Sequence, residues 1–140
     1  MPDEQKTCRL DTQHLRIDLN DLGEIVSIMD RNDHTGYIAQ GRAAILLRMA
    51  IGGTLLAPVS STYDDKNQKI DLVYPSDLFA TIAINIRPTH LTFELTSIGE
   101  GRPTHVVWGP FPTTIGGIIG ETVGVVRNEQ FAFGIQALNI

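Results

Sequence analysis

The chain has a single cysteine, a single tryptophan and an aromatic share of only 6%. A lone thiol, Cys8, cannot close an internal disulfide, and a metal site built on it would need other ligands around it. Cations are also scarce: 11 Lys and Arg face 16 Asp and Glu, a net charge of −5 over 140 residues. Phosphate binding needs clustered cations, so this balance argues against a nucleic-acid surface. No apolar run approaches the roughly 20 residues of a membrane-spanning helix. The opening stretch from Met1 to Lys6 is polar and has no apolar h-region of a secretion signal. Internal repeats, low-complexity tracts, charge blocks and linkers are missing too.

What is present is an ordinary globular composition, 42% hydrophobic and 19% charged, which counts against disorder. The length suits one domain, residues 1–140, large enough to bury a core. Strand signals dominate it. His14 to Asn20 alternates polar and apolar residues at period two, and Asn20-Asp21-Leu22-Gly23 supplies turn residues. Glu24 to Asp30 then reads as the returning strand of a hairpin. Lys69 to Tyr74 alternates again until Pro75-Ser76-Asp77 breaks it. Leu78, Ala80, Ile82, Ile84 and Ile86 form the apolar row of the next strand. After Arg87-Pro88-Thr89, the residues Leu91, Phe93 and Leu95 repeat the pattern opposite Thr92, Glu94 and Thr96. Short gaps between these runs predict an antiparallel meander.

Arg42 to Ile51 is apolar nearly throughout and fits a short helix or a strand buried on both faces; its surroundings favour strand. Thr114 to Thr122 holds three glycines in nine residues, which suits a loop. Val123 to Arg127 and Phe131 to Leu138 give a last hairpin. Nine to eleven short strands with regular turn signals predict an all-β fold, an antiparallel β-sandwich. A strand that ends two residues before Ile140 leads us to expect a domain cut from a longer protein.

Few residues carry a chemical signature. His14, His34, His90 and His105 show none of the spacings that place two imidazoles on one metal. His105, just before Val106-Val107-Trp108, is the one with a functional reading, although half-buried histidines at strand edges are common. Glu94 and Glu121 are the only acids that suit a paired-carboxylate mechanism, and strand carboxylates are usually just solvated. Asp30 to Gly36 fails as a calcium loop, because Thr35 and Gly41 occupy the positions that need Gly and Glu. Tyr63 to Asn67 reads as a turn. No Ser or Cys sits in a nucleophile motif, and Gly116, Gly117, Gly120 and Gly124 do not spell a phosphate loop. No metal site and no cofactor is therefore expected. Trp108 and Phe111 flank Gly109-Pro110 and could present rings to a sugar. A single tryptophan in a small β domain more often plugs the core, and that reading is preferred.

Three C-terminal segments act as a unit: Trp108 to Ile115, Ile119 to Arg127, and Phe131 to Asn139. Together with an opening strand, Leu22 to Ile28 and Asp30 to Asp33, they resemble the N-terminal β-sandwich module of bacterial, Bacteroides-type glycoside hydrolases. The resemblance implies a galactose-mutarotase-like supersandwich fold and an ancillary, non-catalytic role. It also implies a C-terminal catalytic domain on the same full-length chain, and a periplasmic or extracellular location. Mutarotases of this fold use a Glu and His pair, which maps onto neither Glu94, Glu121 nor any histidine here, so the module alone is not expected to be an enzyme. The alternatives are a carbohydrate-binding module with a glycan site at Trp108, Phe111, His105 and Glu121, and a small sugar-modifying enzyme. A missing partner domain would leave an apolar patch, which a homodimer could cover.

Overall fold

Cross-strand rows of apolar residues explain the first sheet. It consists of β1 (Lys6–Asp11), β2 (Leu15–Asn20) and β3 (Ile25–Asp30), antiparallel in that order. The register aligns Leu10, Ile17 and Ile28 in one row and Cys8, Leu19 and Ile25 in another, and all six are buried. The computed structural model describes residues 6–39, 44–99, 103–109, 111–114, 118–119, 125–127, 129 and 132–134. The β2–β3 turn is built by Asn20, whose Oδ1 accepts from the Leu22 and Glu24 amides at 2.9 and 3.0 Å. Gly23 is required there: its φ is +72°, and an added Cβ would lie 2.9 Å from Leu72 Cδ2.

The stretch from 44 to 51 is extended, as its surroundings led us to expect; residues 42 and 43 lie outside the described set. Its first half joins the start of β3, through Ile25 N–H to Ala44 O and Leu46 N–H to Gly23 O. Its second half is β4 (Leu47–Ile51), which pairs with β5 (Thr54–Leu56). This one segment therefore serves two sheets. Its neighbours on both faces bury Ala44, Ile45, Leu46, Leu47, Met49 and Ala50, which is why the stretch lacks a polar face.

The meander appears as β6 (Ser60–Asp64), β7 (Lys69–Val73), β8 (Phe79–Ile86) and β9 (Leu91–Ile98), paired in chain order. Ile70, Leu72, Ala80, Ile82 and Ile84 face inward and are buried, while Leu91, Phe93 and Leu95 are half-buried against the core. A 3-10 turn over Pro75–Asp77 separates β7 from β8, with Ser76 and Asp77 both at positive φ. A further strand, β10 (His105–Trp108), pairs with β4.

β11 (Ile118–Ile119), β12 (Val125–Arg127) and β13 (Ala132–Gly134) complete a fourth sheet. The last hairpin is present as β12 and β13. The glycine-rich stretch expected to be a loop contains β11, because Ile118 and Ile119 pair with Arg127 and Val126. Thirteen strands are found among the described residues, against the nine to eleven expected; β5 and β11 are too short to show periodicity.

The fold is all-β and antiparallel. Side chains of the first three sheets, among them Leu19, Ile28, Met49, Leu72 and Ile82, enter one hydrophobic cluster. No helix among the described residues is long and apolar enough to cross a membrane.

Candidate functional site

β10 carries two of the candidate residues, and strand alternation separates them. Trp108 and Val106 point to the core cluster, whereas His105 lies on the opposite face and is exposed. The Trp108 ring meets Phe93 of β9 with centroids 6.4 Å apart and planes tilted by 37°. Its backbone stands opposite Leu47, one of the fully buried residues of β4. The ring thus spans from one sheet to another. The imidazole of His105 has the neighbouring Thr104 hydroxyl 3.3 Å from Nδ1.

After Trp108 the chain turns at Gly109, buried and with φ +83°. The Phe111 ring folds back on this glycine, so that an added Cβ would lie 2.9 Å from Cε2. Phe111 is half-buried and packs on the same core cluster as Trp108. Backbone hydrogen bonds hold the loop at both ends, from Gly109 N–H to Leu46 O and from Ala39 N–H to Pro112 O. Trp108 and Phe111 are brought onto one core, and His105 is not. Glu121 lies outside the described residues.

Glu94 is exposed on the outer face of the β6–β9 sheet, opposite Ala83. The histidines are dispersed. His14 approaches Asn32 in the loop after β3, His34 occupies a positive-φ turn position, and His90 closes the β8–β9 turn. Among the described residues no group of three His, Cys, Asp or Glu could hold a metal ion.

Several acids are committed to local structure. Asp30 Oδ1 accepts from the Asn32 amide, and Asp33 Oδ1 accepts from the Thr35 amide, which holds the Asp33 carboxyl below its usual range. Asp64 accepts from Asn67 and Lys66 in the turn after β6, with the same effect on its carboxyl. Arg9 grips the buried Asp18 through Nε at 2.8 Å and Nη2 at 3.2 Å. Cys8 is buried, and desolvation, helped by the charges of Asp18 and Asp65, pushes its thiol up to about 12. A thiol held protonated is a poor nucleophile.

The sequence reading passed over one constellation. Asp71 and Thr81 are cross-strand partners, with the Thr81 hydroxyl donating to Asp71 Oδ1 at 2.8 Å. Beside them Phe79 stands exposed on the outer face of β8. The signal was the alternation itself, which sets Phe79 between the inward Leu78 and Ala80. Comparison with known protein families, with curated proteins and with solved structures finds no significant match to this chain.

Proposed function

We propose that the chain is a non-catalytic β-sandwich module of a carbohydrate-processing protein, a glycoside hydrolase that works in the periplasm or outside the cell. In this reading it packs on a catalytic domain of the same full-length chain and supports it. The observation that carries the structural part is the placement of Trp108, half-buried with its ring against Phe93 and the core cluster. Phe111 has the same bias, since its ring is spent on Gly109 and the core. His105, on the other face, does not complete a sugar platform around Trp108. The carbohydrate context rests on the resemblance of the Trp108–Ile115, Ile119–Arg127 and Phe131–Asn139 segments.

A candidate docking corner lies where the β2–β3 turn meets the start of β6. Leu22 in the β2–β3 turn and Val59 before β6 are both exposed. Ser61 N–H to Asp21 O at 2.8 Å, and the contact of Pro58 with the Gly23 position, place them at one corner. The test is the double variant Leu22→Asp, Val59→Asp in the full-length protein. Surface changes of this kind leave the module's own stability within about 0.5 kcal/mol. A lower melting temperature or turnover of the catalytic domain supports the proposal, and unchanged values for both would remove the docking role.

A further inference from the structure

We propose that the outer face of the β6–β9 sheet carries a binding subsite for a neutral saccharide, with Phe79 as its platform and Asp71 and Thr81 as its polar partners. Phe79, the first residue of β8, is 45% exposed and has Val73 opposite it on β7. On its other side Gly99 donates its amide to Phe79 O at 2.9 Å. A Cβ added to Gly99 would lie 2.8 Å from both Cδ1 and Cε1 of Phe79 and 3.4 Å from Cζ. Those three distances describe an approach to the face of the ring, since an edge-on approach would put Cζ much farther away. One face of the ring therefore rests on bare backbone, and the other is turned outward. A ring seated on backbone in this way has fewer rotamers to give up when a ligand stacks on it.

A depression opens beside the ring, lined by Asp71, Val73, Asp77, Phe79 and Thr81. The bond from Thr81 fixes the Asp71 carboxylate through Oδ1, and among the described residues Oδ2 has no partner. Asp77 is presented from the turn after β7. Among the described residues the depression is lined by two carboxylates, Asp71 and Asp77, and by no Lys or Arg, which disfavours phosphate and carboxylate ligands. A flat apolar face next to a fixed carboxylate and a hydroxyl matches a pyranose. Its C–H face lies on the aromatic ring, and its hydroxyls donate to the carboxylate. This subsite stands on side-chain geometry alone and does not require the partner-domain reading.

The experiment is a 15N-resolved NMR titration of the 140-residue chain with neutral hexasaccharides of glucose, xylose, mannose and galactose, and separately with spermidine. The expected result is saturable shifts for at least one hexasaccharide, confined to the backbone of residues 71–73, 77–81 and 99. Phe79→Leu keeps an apolar side chain over Gly99 but removes the flat ring, and should weaken binding about tenfold. Asp71→Asn should do the same, while Trp108→Phe leaves the affinity unchanged. No saturable shift with any hexasaccharide, shifts centred on Trp108, or a response to spermidine alone would overturn the proposal. Failure of the docking test above would leave this titration untouched, so the two readings fall separately.

Discussion

The hydroxyl of Tyr74 donates to the carbonyl of Leu47 at 2.8 Å, across 27 residues of chain and between two sheets. Tyr74 is 1% exposed, so this phenol is a polar group placed inside the core with one partner. It ties the corner between β7 and β8 to the strand that also carries Trp108's neighbour. Removing the hydroxyl leaves a buried carbonyl short of a donor, which costs about 1–3 kcal/mol. Tyr74→Phe should therefore lower the urea midpoint without a change in slope. A midpoint equal to the parent's would show that the bond contributes nothing.

Alkaline pH attacks the same core. Burial raises the Tyr74 phenol well above its ordinary 10.0 and the Cys8 thiol from 9.0 to about 12. Both groups are neutral when protonated, and the folded state holds those protons more tightly than the unfolded chain. Their stabilisation is complete below pH 9 and is lost as pH rises through the folded values. Unfolding free energy should fall between pH 9 and 12, and Cys8→Ala should flatten the early part of that fall. A stability flat to pH 12 would contradict the burial of both groups.

Acid acts through a different pair. Arg16 donates Nε to Asp11 Oδ1 at 2.8 Å and holds the Asp11 carboxyl below its ordinary 3.8. A depressed carboxyl contributes stability above its unfolded value, and that contribution disappears as pH falls through the folded one. Asp11→Asn should make stability less sensitive to pH below 4. An unchanged acid limb would remove the pair from the account.

Much of this fold was legible because period-two alternation survives wherever one sheet face is wet. Lys69 to Val73 and Phe79 to Ile86 are strands for that reason, and their apolar rows face the core; Leu15 to Asn20 alternates as well, although its Asp18 and Asn20 are buried. The stretch 44–51 was ambiguous because two sheets enclose it and no face is polar. β11 was missed because two isoleucines among glycines carry no period, and only pairing with β12 makes them a strand. The candidate site fared differently. Trp108 and His105 are three residues apart, and alternation alone sends them to opposite faces. Phe79 and Asp71 gain meaning only from register, which sets Asp71 against Thr81 and leaves Phe79 over Gly99.

Gly109 is a sharp test of the loop beyond Trp108. Its positive φ and the Phe111 ring 2.9 Å from an added Cβ both resist substitution. Gly109→Ala should cost about 1–2 kcal/mol from backbone strain alone, before any movement of the ring. A variant as stable as the parent would mean that Phe111 is not seated on the glycine.

Catalysis by the isolated chain would overturn the proposed role. Glu94 is exposed on a strand face, and its variant Glu94→Gln should leave the protein as inactive on glycosides and free aldoses as the parent. Glu121→Gln should behave alike. Mutarotation or glycoside cleavage that either variant abolishes would make this chain an enzyme.

The central claim is that Trp108 belongs to the core, and one denaturation curve of Trp108→Ala tests it. Because the chain has one tryptophan, the parent's emission also reports on this ring alone. Truncating a large aromatic packed on Phe93 and the core should cost about 3 kcal/mol. The parent's emission should be blue-shifted and indifferent to every glycan. A loss within about 0.5 kcal/mol, the range of ordinary surface changes, together with an emission typical of a water-exposed indole, would contradict the claim.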